Sequence, residues 1–294
     1  MDKFNQLFNQ YNFNLTNKEL PLKLEKIMVD GYSKNKEKSV YSKLLSFIDI
    51  TSLNTDDTAD KIIRLTEKIN GFDDHFEVLP HPAAICVYPA FIAAVKDTLS
   101  ENLEIAAVAG GFPHSQTFIE VKIAEVAMSV MEGATEIDVV FPVGNFLSGN
   151  FEEVYSELSE IKASCRGAKL KVILETGLLQ EAEVIKKAAI ISMAAGADFI
   201  KTSTGKIAQG ATLEAACIIC DAIKEFRAKN GTKVGFKVSG GISEVDDAVK
   251  YYTVVEKMLG EEWLSPTLFR IGASRLVNNL LTEIERKKVE YFEY

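Results

Sequence analysis

Short apolar runs recur along the chain: SFIDI (46–50), AAICVY (83–88), EIAAVAG (104–110), TEIDVVF (135–141), KLKVILET (169–176), ADFIKTS (197–203), KVGFKVSG (233–240) and LFRIGAS (268–274). Most are rich in Val and Ile and lack polar alternation, as strands buried on both faces do. Their starts lie roughly 20–40 residues apart, the length of a β-loop-α unit. Between them, apolar residues at helical spacing fill 115–133, 150–167, 179–196 and 243–260, each ending on a glycine that serves as a stop. Ser243 stands where the last of these would take its N-cap. Eight buried strands alternating with helices predict an α/β fold, the (β/α)8 TIM barrel. The barrel would take residues 45–294, including a C-terminal tail. Residues 1–44 hold two amphipathic pieces, KFNQLFNQYNF and PLKLEKIMVDGYS. These read as an N-terminal helical extension that caps the barrel bottom or meets a partner subunit. No Gly- or Pro-rich linker divides the chain, so one domain is expected.

Composition adds exclusions. The 294 residues carry a formal net charge of −9, which argues against a nucleic-acid partner but not against a small phosphorylated ligand. No run of about 18 apolar residues is present, so no membrane partner is expected. The first twenty residues lack the layout of a signal or transit peptide, making a cytoplasmic location the expectation. The pair Cys217 and Cys220 has C-x-x-C spacing but lies in an apolar helical pattern, and His75, His81 and His114 show no metal-ligand spacing. His114 reads as a loop residue. No metal and no cofactor are expected.

In a parallel barrel the C-terminal strand ends ring the active-site mouth. The polar residues at those ends are Asp49, Thr51 and Asn54 (first run), Cys86 (second), Asp138 (fourth), Lys171 and Glu175 (fifth), Lys201 (sixth) and Lys237 (seventh), with Gly272-Ala273-Ser274 closing the eighth. Lysines and aspartates inside apolar strands are costly unless paired. Structural ion pairs would explain each singly; several aimed at one mouth favour a reactive site. Lys201 and Lys237 would sit on neighbouring strands at similar height. A free lysine has a pKa of about 10.4, leaving about one amine in two thousand neutral at pH 7. A second ammonium nearby and apolar surroundings both lower that pKa. A neutral amine attacks carbonyls, and the resulting iminium lets an adjacent carbon–carbon bond break or form without a metal. Gly240-Gly241 and Gly272-Ala273-Ser274 follow the last two strands, where barrels commonly bind phosphate through backbone N–H groups.

Together DFIKTSTGK, GFKVSGGI, EIDVVFPVG, KVILETG, AAICVYP and RIGAS resemble the deoxyribose-phosphate aldolase family, from about Phe47 to Leu281. The resemblance implies a cofactor-free class I aldolase, a lyase of deoxyribonucleotide catabolism and carbohydrate degradation. Such an enzyme reversibly cleaves 2-deoxy-D-ribose 5-phosphate into D-glyceraldehyde 3-phosphate and acetaldehyde. It implies Lys201 as Schiff-base nucleophile, Lys237 as the lysine depressing its pKa, and Asp138 as the carboxylate of a water-linked proton relay. Asp49, Thr51, Asn54, Cys86 and Lys171 match pocket positions. Thr204, Lys206, Gly240, Gly241, Gly272 and Ser274 match phosphate and sugar contacts. Tyr294, the terminal tyrosine, matches one that assists proton transfer, although a charged aromatic tail by itself is more often a frayed end. A homodimer is expected, dimers being common among such barrels. Two departures stand out: Ser243 replaces a basic residue after Gly-Gly-Ile, and Arg275 replaces a second serine. They keep open a Schiff-base aldolase for another small sugar phosphate. A non-catalytic scaffold is the remaining alternative.

Overall fold

The computed structural model describes residues 3–293; Tyr294 lies outside the described residues. Eight strands close into a barrel in chain order: β1 (Ile48–Thr51), β2 (Ala84–Val87), β3 (Glu104–Ala109), β4 (Glu136–Val140), β5 (Lys169–Ile173), β6 (Phe199–Lys201), β7 (Gly235–Ser239) and β8 (Phe269–Ala273). All pairs are parallel, and β8 closes on β1 with Asp49 opposite Gly272. All eight apolar runs are strands. They are wholly or largely buried because helices cover their outer faces while their inner faces fill the barrel. No helix among the described residues is long and apolar enough to cross a membrane.

β6 ends at Lys201, where the sequence placed its end. Thr202 Oγ1 donates to the Ser239 carbonyl and accepts from the Ser239 N–H, both at 3.0 Å. A side chain thus bridges the two strands at the point where the chain turns away toward the mouth. The helices over 119–132, 151–164, 182–194 and 245–259 each end within three residues of their expected glycine. The N-cap expected at Ser243 falls instead on Glu244, in extended backbone, without a side-chain cap. Ser243 directs its hydroxyl to the Glu244 carboxylate at 3.1 Å.

The extension forms helices Lys3–Phe8, Leu20–Ile27 and Lys38–Leu45, with a wider π turn over Met28–Tyr32. Its residues 3–35 belt the side of the barrel rather than cap its bottom. Phe4 and Phe8 pack on Phe151, and Phe4 also on Tyr155. The Asn12 carbonyl takes the buried Lys186 amine, which also meets Asp221 at 2.6 Å and Glu225 at 2.7 Å. Further on, Asn35 donates to Thr253 and Glu256, each at 3.0 Å. The C-terminal tail is anchored, not frayed, through Phe292. Asn278 brackets Phe292 with bonds of 2.7 and 3.0 Å, and the Tyr291 hydroxyl donates to the Lys68 carbonyl at 2.7 Å.

Candidate active site

Side chains alternate along a strand, so residues two apart share a face. Glu136 and Asp138 on β4, Lys169 and Lys171 on β5, Phe199 and Lys201 on β6, and Arg270 and Gly272 on β8 follow this spacing. Lys201 and Lys237 stand in register on adjacent strands, as the sequence suggested. Both amines converge on one atom: Lys201 Nζ and Lys237 Nζ each lie 2.8 Å from Asp138 Oδ2. The other oxygen of Asp138 takes Lys171 at 3.1 Å. Lys237 also meets Asp49 at 2.5 Å, and Lys171 meets Glu136 at 2.5 Å. Arg270 joins Asp49 Oδ1 at 2.6 Å to Glu136 Oε1 at 2.9 Å.

The sequence reading missed Glu136 and Arg270. The signal was available: Glu136 precedes Asp138 by two, and Arg270 is in register with Lys237. The fully buried network then holds three carboxylates (Asp49, Glu136, Asp138) and three cations (Lys171, Lys237, Arg270). Those charges cancel, so a proton on Lys201 would add one uncompensated positive charge to the interior. Burial is the largest influence lowering the Lys201 pKa; Asp138 opposes it, and Lys237 lowers it further. Both influences expected from the sequence act in the expected direction, desolvation the larger and Lys237 assisting. Burial also works against the Lys237 ammonium, but Asp138 and Asp49 outweigh it and raise its pKa, so this amine stays protonated. Burial pushes the Asp138 carboxyl up, yet Lys171, Lys201 and Lys237 together hold it well below the usual carboxylate range. The result is a Lys201 amine whose charged form is disfavoured, beside an ammonium and a carboxylate that their neighbours hold charged.

Above this floor opens a cavity of about 480 Å³ walled by Thr51, Asn54, Lys201, Thr204, Lys206 and the loops after β7 and β8. Asp49, Cys86 and Lys171 do not line it. All three are wholly buried beneath the mouth, so the expected pocket contacts are replaced by support from below. The Cys86 thiol is pushed up in pKa by burial. Gly272 is needed beneath the wall, since a Cβ there would come within 3.1 Å of Lys237 Cε and 3.0 Å of Ser239 Cβ. Gly240 has φ +100° and packs against the backbone of Gly210, where a Cβ would approach Cα to 3.0 Å. Glu175, also unassigned from the sequence, adopts φ +55° and holds Thr204 Oγ1 at 2.5 Å, fixing the loop after Lys201. Lys206 reaches across the mouth to the Leu53 carbonyl. Ser243 and Arg275, the two departures, both stand on the cavity wall. A neighbouring groove of about 560 Å³ shares Asn54 with this cavity and runs to Tyr291 and Glu293.

The expected helix holding Cys217 and Cys220 forms over Leu213–Asn230, with both thiols free and buried. His114 is exposed in the turn after β3.

A human protein named deoxyribose-phosphate aldolase is 41% identical over 257 residues, covering 83% of this chain and 79% of its own. A mouse protein of the same name is 40% identical over 259 residues, with the same coverage. Among solved structures, the deoxyribose phosphate aldolase of Aeropyrum pernix, described as a unique tetramer, superposes with a TM-score of 0.67 at 27% identity. That match covers 87% of this chain and 96% of the other. Residues 43–260 match the family described as DeoC/LacD family aldolase, and with the barrel and its lysine-bearing floor this places the chain in that family of aldolases.

Proposed function

We propose that the chain is a class I deoxyribose-phosphate aldolase, reversibly cleaving 2-deoxy-D-ribose 5-phosphate to D-glyceraldehyde 3-phosphate and acetaldehyde. The observation that carries this is the buried Lys201 amine, 2.8 Å from Asp138, beneath a cavity whose far wall is two glycine- and serine-bearing loops. Lys201 adds to the C1 aldehyde of the open-chain sugar. Lys237, held as ammonium, gives a proton to the departing hydroxyl, and water leaves with formation of the iminium. The C3 hydroxyl loses its proton through a relay ending at the Asp138 carboxylate, and the C2–C3 bond breaks. Its electron pair moves into the iminium, which becomes an enamine as glyceraldehyde 3-phosphate departs. Protonation of C2 and hydrolysis then release acetaldehyde and restore the amine. The 5-phosphate would rest against Gly240, Gly241, Ser274 and the cationic Lys206 and Arg275. Thr51, Asn54 and Thr204 would face the sugar. Tyr294, outside the described residues, keeps its proposed part in proton transfer.

Borohydride reduction in the presence of substrate should trap an adduct on the peptide containing Lys201 and leave Lys201→Met unlabelled. Turnover of unphosphorylated deoxyribose should fall well below that of the phosphate ester. An adduct mapped elsewhere contradicts the nucleophile, and equal turnover of the two sugars contradicts the phosphate loops.

A further inference from the structure

The chain leaves β5 through a strained residue. The Leu174 N–H donates to the Lys201 carbonyl at 2.9 Å, and the Thr176 N–H donates to the Thr202 carbonyl at 3.0 Å. The chain after β5 thus advances two residues while the chain after β6 advances one, and the extra residue is Glu175. Such bulges bend a strand, re-aim a side chain and gather beside active sites. Glu175 has φ +55°, a left-handed conformation that glycine adopts freely and a residue with a Cβ does not. It is 3% exposed, yet its carboxylate meets no Lys or Arg among the described residues. A buried charge is ordinarily paired. Here both oxygens serve one residue. Oε1 accepts the Thr204 N–H at 3.2 Å, and Oε2 accepts the Thr204 hydroxyl proton at 2.5 Å. A strained backbone and a buried carboxylate are kept together at one position, and the side chain's hydrogen bonds all go to Thr204. Strain of this kind clusters where function uses it.

We propose that Glu175 is a positioning residue that gives the active site its preference for a phosphate ester, a role that rests on the aldolase reading above. It acts through Thr204. A hydroxyl has one proton, and Glu175 takes it. The oxygen is left to accept, and it accepts the Lys206 N–H at 3.1 Å. One carboxylate therefore fixes the stretch Thr204-Gly205-Lys206, all of it on the wall of the catalytic cavity. Gly205 stands between the two fixed residues at φ +76°, and its N–H has no protein partner among the described residues. Besides Lys201, the cations on that wall are Lys206 and Arg275. A cation beside a free backbone N–H, both held in place, is suited to a phosphate oxygen. The bonds of this clamp do not reach the Lys201 amine, whose partner is Asp138 on the floor. The clamp thus bears on where the phosphate sits and not on the formation of the Schiff base.

The test is steady-state kinetics of the full chain with 2-deoxyribose 5-phosphate and with 2-deoxyribose, read as the ratio of the two kcat/KM values. Glu175→Ala and Glu175→Gly should each lower that ratio by about tenfold or more, as loss of hydrogen bonds to a charged group does, chiefly by raising KM for the phosphate ester. Glu175→Gln, which keeps one acceptor oxygen, should fall between them and wild type. Circular dichroism controls for folding. Glu175→Gly should melt above Glu175→Ala, because glycine relieves the left-handed backbone while losing the same clamp. Thr204→Val should lower the ratio too, and adding it to Glu175→Gly should lower it by less than about twofold more, since both act through one hydroxyl. Borohydride trapping of acetaldehyde on Lys201 needs neither phosphate nor sugar and should persist in every variant. Equal loss on both sugars, or a ratio within about twofold of wild type, overturns the positioning role, while the adduct leaves the aldolase reading standing. An adduct absent from wild type overturns that reading and the positioning role with it.

Discussion

Asp138→Asn separates the two tasks assigned to the buried floor. The carboxylate takes three amines at 2.8, 2.8 and 3.1 Å, and it is wholly buried. The amide cannot neutralise them, so two carboxylates would face Lys171, Lys237 and Arg270. Removing one partner from a buried ionic group costs about 3–5 kcal/mol, or roughly 5–8 °C in Tm for a chain of this size. Loss of the proton relay should lower kcat about 10²–10⁴-fold. Lys201, however, should become a better candidate for the neutral state, because Asp138 is the influence that raises its pKa. Borohydride trapping at Lys201 should therefore persist in the variant, with its pH threshold moved to lower pH. The assay pairs steady-state turnover with the trapped mass measured across pH, both well below the variant's Tm. A kcat within threefold of wild type would refute the relay. A trapping threshold moved to higher pH in a folded variant would refute the electrostatic argument.

Gly272→Ala should press a methyl group onto Lys237 Cε and Ser239; an overpacking cost of about 1–3 kcal/mol and a kcat loss larger than any KM change are expected from calorimetry and kinetics. Acid should unfold the protein through the same floor. Asp49 and Asp138 are held below the ordinary carboxylate range, burial opposing and the surrounding cations prevailing. Their stabilisation is complete above their unfolded values near about 4 and is lost as pH falls through the folded values. Tm should thus drop steeply below about pH 4, less so in Asp138→Asn; a flat Tm would contradict the linkage.

Much of this was legible in the sequence because strand burial leaves a period: all eight runs are strands, and Lys201 and Lys237 stand in register as read. The site was less legible below its surface. A charged residue in an apolar strand announces that it is buried, but not its height in the barrel. Asp49 and Lys171 were therefore read as pocket contacts although they lie beneath the pocket. Arg270 was passed over because it sits near the start of its run, where a solvated end is the ordinary reading. The extension's position was hidden for another reason. Its apolar stripe says that it docks, and only the tertiary arrangement says where.

That belt also orders the events of synthesis. Residues 4, 12 and 35 dock on residues 151, 186 and 253 in turn, so this earlier-made segment finds its seats only as the ribosome reaches the later residues. Its sticky stripe must wait through most of translation, when a nascent chain is most prone to wrong associations. Once seated, the belt ties the stretch before β1 to successive outer helices made later and so reports that those helices are in place.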